Sequence, residues 1–238
     1  MFDWSNVKRQ SVIDQLLELS SEICDQLLTP EQFHSVISKF LKKRFPINIT
    51  LSWDITVKHY KVMIGGSYCS HSDEYDKKCI SLEFHYNPNI KQFKLTKKRY
   101  SQISTLVADT LLHEIIHMRQ YRRRDFRSLP NYDSMARSSS VREEQSYFGC
   151  TDEIDAYGFN IACELLEKYD GDQRSVIKHL DLNLKGSRKS GGSWKMYLKA
   201  FGHDHKHEII KRLKKKVIRY LPRAVSGKPF KSRDWICH

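Results

Sequence analysis

His113 and His117 stand four positions apart, and Glu114 directly follows the first of them, in the run Leu111-Leu112-His113-Glu114-Ile115-Ile116-His117. Residues four apart share one face of a helix, so two imidazoles at this spacing can hold a single metal ion. Glu114 is rotated by about 100° around the axis. It is too far round to join them as a ligand, but it is placed to hold a metal-bound water and take its proton. Two histidines and a glutamate on a buried helix would be costly without partners, which weighs against a chance pattern.

The element that must carry these residues is a helix over about 101–121. Ile103, Val107, Leu111, Ile115 and Met118 form one apolar stripe, and Ala108, Leu112 and Ile116 form a second beside it, so the helix is buried. A small sheet of about three strands precedes it: Ile47–Trp53 by alternation, Tyr60–Met63 ending at Gly65-Gly66, and Ile80–Tyr86. Two helices come first, one over 5–28 and one that starts at the Thr29-Pro30-Glu31 signal and runs to Pro46. Residues 122–150, with Ser138-Ser139-Ser140, read as a long polar loop and a plausible lid; a helix follows over about 151–168. Residues 183–193 read as a basic loop and 205–221 as a C-terminal helix. The class is α+β. Residues 1–45 form an N-terminal helical segment, 46–170 a core and 171–238 a basic helical region packed with the core as one domain.

The His-Glu-x-x-His segment resembles the active-site helix of the zincin metallopeptidases. The resemblance implies a small, mainly antiparallel sheet on a buried active-site helix, Zn2+ held by His113 and His117, and Glu114 as general base. Metzincins place a Gly and a third His after the motif, but Gln120 and Arg123 stand there. Downstream, Thr151-Asp152-Glu153-Ile154-Asp155-Ala156-Tyr157-Gly158 contains a Glu-x-x-Ala core that is similar to the third-ligand helix of gluzincin-like peptidases, including the ImmA/IrrE type. That makes Glu153 the third ligand, leaving the fourth position to water. The same run resembles, about a residue out of register, the aspzincin signature, in which Asp152 or Asp155 would be the ligand. Tyr157, one turn after Glu153, is the candidate oxyanion donor, with Tyr147, Tyr197 and His203 as others. Asp109, one turn before His113, is placed to orient a ligand imidazole or to face solvent. The resemblance covers roughly residues 80–168, and it implies a protein or peptide substrate read through an edge strand, for which Ile80–Tyr86 is expected.

Charge adds a partner. Residues 171–238 hold 18 Lys and Arg against 5 Asp and Glu, and residues 1–170 hold 23 of each, so the whole net charge of +13 lies in the last part of the chain. Such a one-sided charge attracts polyanions, and nucleic acid is the expected partner of 171–238, unless the surface serves only solubility. SprT-like proteases and antirestriction proteins combine such a location with a zincin-like domain, but no cysteine zinc ribbon follows here. The alternative is a nucleic-acid-binding protein with structural zinc, though such sites usually close on cysteines. Tyr121-Arg122-Arg123-Arg124 and Arg127 suit a helix C-terminus and could also meet acidic substrates. His203, His205 and His207 alternate in a tract that can bind metal, though a solvated helix start explains them. Cys24, Cys69, Cys79, Cys150, Cys163 and Cys237 show no paired close spacing, so neither a disulfide framework nor a cysteine-bound zinc is expected. A reducing, cytoplasmic setting follows, with no secretory leader and no membrane span.

Overall fold

The computed structural model describes residues 2–58, 61–75, 77–128, 141–182 and 192–226. Tyr60, Ser138-Ser139-Ser140, most of the basic loop 183–193 and Cys237 lie outside them. The chain is α+β and divides after Phe126 into two compact units. Among the described residues, no helix is long and apolar enough to cross a membrane.

The first unit opens with a 3-10 turn at Trp4–Asn6, α1 (Arg9–Leu17), α2 (Ser20–Ile23) and β1 (Leu27–Leu28). The single helix expected over 5–28 is therefore broken, first at Glu18-Leu19 and then by Asp25 at a φ of 63°. The expected helical spacing of Val12, Leu16, Leu19, Ile23 and Leu27 survives as far as Ile23, the first four being buried, whereas Leu27 in β1 is exposed. α3 (Pro30–Arg44) starts as the sequence indicates. Thr29 accepts from the Gln32 N–H and Gln32 accepts from the Thr29 N–H, and Pro30 occupies the first turn, where no N–H is needed.

β2 (Ile47–Trp53), β3 (Met63–Tyr68), α4 (Ser70–Glu74), β4 (Ile80–Tyr86) and β5 (Phe93–Lys94) follow. β2, β4 and β3 form a sheet in that order. β4 pairs in parallel with β2, from Ile47 opposite Ile80 to Trp53 opposite Tyr86, and antiparallel with β3, from Met63 opposite His85 to Tyr68 opposite Ile80. Two expectations are corrected by this order. The sheet is mixed rather than mainly antiparallel, and Ile80–Tyr86 is the central strand, so the strand at the edge beside the long helix is β3. Alternation shows that one face of a strand is covered, but it carries no information about what pairs along its sides. β1 pairs with β5 as a separate two-stranded ribbon.

Ile80, Leu82, Phe84 and Tyr86 are fully buried on one face of β4. Each large apolar side chain so covered stabilises the unit by about 1.5–3 kcal/mol. Phe33 of α3 packs edge-on against Phe84 and Tyr100, and the Tyr100 hydroxyl donates to the Leu16 carbonyl at 2.6 Å. Tyr100 belongs to α5 (Lys97–Arg123), which Thr96 caps by accepting from the Arg99 N–H. α5 is longer than the expected 101–121 and carries buried residues from Tyr100 to Tyr121, with Gln102 and Leu106 exposed.

The second unit comprises α6 (Val141–Gly149), α7 (Thr151–Lys168), α8 (Gln173–Leu180), α9 (Ser193–Ala200) and α10 (Glu208–Ser226). α6 occupies ground expected to be loop. Its polar sequence hides one anchor, Phe148, which is buried against Tyr157 and Tyr197. α7 and α10 pack closely: a Cβ at Gly158 would come within 2.8 Å of the Lys216 Cβ, so only glycine permits the approach. α10 begins at Glu208 rather than 205 and carries Ile210, Leu213, Val217 and Leu221 inward. His203, His205 and His207 lie in the turn before it.

Candidate metal centre

α5 brings His113, Glu114 and His117 into the interior, at 7%, 6% and 6% exposure. The two imidazole rings face each other edge to plane, and their Nε2 atoms are 3.1 Å apart. Two nitrogens bound tetrahedrally to one zinc at its usual bond length sit about 3.3 Å apart, so the pair is set close to the spacing an ion requires. The amide oxygen of Gln120 lies 2.8 Å from His117 Nδ1. An oxygen there accepts only from a protonated Nδ1, which leaves the His117 lone pair on Nε2, toward His113. Gln120, one turn beyond His117, stands where metzincins carry a different residue. Its spacing of three from His117 was the signal for this orienting role.

Glu114 is set by the strand beside it. A Cβ at Gly66 would come within 2.6 Å of Glu114 Oε1 and of Thr110 Cγ2, and within 2.9 Å of Glu114 Cγ. The strand therefore does not stop at Gly65-Gly66 but runs through them. The missing side chain at Gly66 lets β3 lie against the helix where the carboxylate emerges.

Asp109 gives its carboxylate to Arg9, which donates from Nε at 2.6 Å and from an NH2 group at 3.3 Å. Arg122, in the basic cluster ending α5, is held internally. It donates at 2.5 and 2.7 Å to the buried Asp73, which also accepts from the Tyr68 hydroxyl at 2.9 Å. Arg124 stacks over Tyr121.

In α7, Asp152, Glu153 and Asp155 are all buried, with Glu153 at 1% exposure. Asp155, one of the two alternative ligands, accepts from Lys216 Nζ at 2.7 Å and is hydrogen-bonded to Tyr220. Tyr157 is half-buried, with Phe148 at 5.7 Å and Tyr197 at 5.3 Å between ring centroids. Burial, and next the Glu153 charge, push the Tyr197 hydroxyl well above the ordinary tyrosine range, so it stays protonated. Tyr147 packs on Phe148. Of the expected metal-binding residues, His113 and His117 offer ligand nitrogens in the first unit, and Glu153 offers a carboxylate oxygen in the second.

In the basic C-terminal region, Lys214 and Lys216 of α10 are ion-paired with Asp181 and Asp155, while Lys211 and Lys215 are exposed. Comparison of the chain with protein-family models, with characterised proteins and with solved structures gives no match to any of them.

Proposed function

We propose that this protein is a zinc-dependent metallopeptidase of the zincin type that hydrolyses peptide bonds in a protein substrate inside the cell. The observation that carries the reading is the convergence of two buried imidazole Nε2 atoms 3.1 Å apart, with the buried Glu114 directly following the first of them on the same helix. The donor set suits zinc, since two neutral imidazoles and one carboxylate are a common catalytic trio. His113, His117 and Glu153 would hold the ion. Asp155 is the weaker candidate, because Lys216 already takes its carboxylate.

Zinc in such a site supplies a Lewis acid that makes water nucleophilic near neutral pH. Glu114 takes the proton from the attacking water as oxygen adds to the scissile carbonyl carbon. It then delivers that proton to the amide nitrogen, so that the C–N bond breaks with a neutral amine leaving. Gln120 keeps His117 in the tautomer with its lone pair on Nε2. Tyr157 is assigned as hydrogen-bond donor to the developing oxyanion, a role its place one turn after Glu153 supports.

Elemental analysis tests the reading. The wild type should hold about one zinc per chain, Glu153→Ala much less, and Asp155→Ala as much as the wild type. Glu114→Gln should keep the zinc and lose all hydrolysis. A wild type that retains no zinc after zinc is offered and the excess removed would sink the proposal.

A second reading adds nucleic acid as a tether through 171–238, supported by the location of the whole net charge of +13 there. Electrophoretic shift at low and high salt decides it, and lack of any shift at low salt removes the tether.

A further inference from the structure

A cavity of about 570 Å³ opens at the start of β3 and the N-terminal half of α5, within the first unit. Its interior is apolar, with Ile64, Phe93, Ile103 and Leu106 among the lining, and Leu106 remains 48% exposed. Lys61, Lys94 and Arg99 also line it, with Lys94 4.0 Å from the exposed Asp25 carboxylate, and among the described residues no Asp or Glu lines it. The N-terminus of α5, whose dipole adds to that positive field, begins beside Arg99. Tyr86 also lines the cavity. Its ring is fully buried, and its hydroxyl has no hydrogen-bond partner among the described residues. A buried hydroxyl left so is costly, and a ligand carbonyl or carboxylate that accepts from it would recover that cost.

The cavity is in line with the proposed catalytic residues. Leu106, Thr110 and Glu114 follow one another at four-residue steps along α5, which places Leu106 about 12 Å from Glu114 along the axis. On β3, Ile64 and Gly66 point to the same face, and Gly66 is the residue against Glu114. The outer side of β3 is unpaired among the described residues, as an added extended strand requires.

We propose that this cavity is the selecting subsite of the peptidase, and that it takes a large apolar side chain flanked by acidic residues in an extended substrate segment. The inference rests on the peptidase reading above. At about 3.4 Å per residue, the apolar side chain lies roughly two to four residues from the scissile bond. Its acidic neighbours meet Lys61, Lys94 and Arg99 at the rim, and a backbone or side-chain oxygen accepts from Tyr86.

The test uses the full chain as Glu114→Gln, so that bound peptides survive, and a fully randomised decapeptide library displayed on phage. Retained peptides should share a large apolar residue with Asp or Glu within two positions of it. Adding Leu106→Asp, a change at a half-exposed site, should reduce recovery of those peptides at least tenfold while circular dichroism stays unchanged. Adding Lys61→Glu with Lys94→Glu should abolish the acidic preference and leave the apolar one. No enrichment, enrichment without the apolar residue, or enrichment indifferent to Leu106→Asp overturns the subsite. Zinc content of the same preparations separates the two claims. Zinc bound without peptide selection removes the subsite and leaves the peptidase reading; selection by a protein that never binds zinc leaves a peptide groove and overturns its place in a peptidase.

Discussion

Gly66→Ala probes how the candidate centre is built, because the closest approach between sheet and helix is made there. The new methyl would stand 2.6 Å from Thr110 Cγ2 and Glu114 Oε1, and 2.9 Å from Glu114 Cγ. Comfortable carbon contacts begin at about 3.5 Å, so the shortfall is about 1 Å at Thr110. Thr110 is β-branched on a helix and has little freedom to turn away. Overpacking of this kind costs about 1–3 kcal/mol. Against it, replacing glycine restricts the unfolded chain and returns about 0.4–1 kcal/mol. Overpacking wins, leaving a net loss of about 1–2 kcal/mol, or a fall in Tm of about 2–8 °C for a chain of this size. Gly65→Ala is the internal control. Its Cβ would meet His85 Nε2 at 3.3 Å and other atoms only from 3.9 Å, so its stability should match or exceed the wild type. Thr110→Ser removes the clashing methyl and should recover part of the loss in the double variant, a coupling of about 0.5–1 kcal/mol by thermal or denaturant unfolding. Zinc content should not change, since neither His113 nor His117 is touched. A Gly66→Ala protein as stable as the wild type, with no coupling to Thr110, would refute the packing of β3 against Glu114.

Gln120→Leu should weaken zinc binding about 10–100-fold in a chelator competition, because the His117 tautomer is no longer fixed; equal affinity would refute Gln120 as its orienting partner. Iodoacetamide near neutral pH should label Cys69 before Cys24, Cys79 and Cys150, read by mass spectrometry. The Ser72 hydroxyl and backbone N–H groups hold the exposed Cys69 thiol below its usual range, whereas burial pushes Cys79 up to about 12. Burial first, then Lys168, lowers the pKa of His179, which sits with its Nδ1 2.8 Å from the Tyr169 hydroxyl, from its ordinary 6.5. The unfolded chain therefore takes up that proton before the folded one, and stability present above pH 6.5 should fall as the pH drops below it toward the folded value. His179→Leu should flatten that part of the curve, and an unchanged slope would refute the assignment.

The facing of His113 and His117 was legible from the sequence because its geometry is local. Residues at i and i+4 share a helix face wherever the helix lies, and the double apolar stripe around His113 and His117 announced burial before any packing was known. The capped start of α3, the alternating strands β2 and β4 and the helix α7 were equally readable, each from signals within one short segment. What the sequence could not settle was every property that depends on partners distant along the chain. The pattern of β4 is compatible with an edge or a centre, and only pairing with both β2 and β3 decides for the centre. Gly65-Gly66 reads as punctuation until α5 is brought against it; the absent Cβ then becomes the space that holds Glu114. Gln120 looks like an ordinary polar residue on a helix, and its meaning comes from the ring it touches. α6 reads as loop in the sequence, but a single anchor, Phe148, outweighs its polar composition once Tyr157 and Tyr197 supply a place to bury it. Local spacing fixes which groups can act together on one element. The tertiary structure decides what orients them and what lies beside them, because those contacts arise from burial and pairing between segments far apart in the chain.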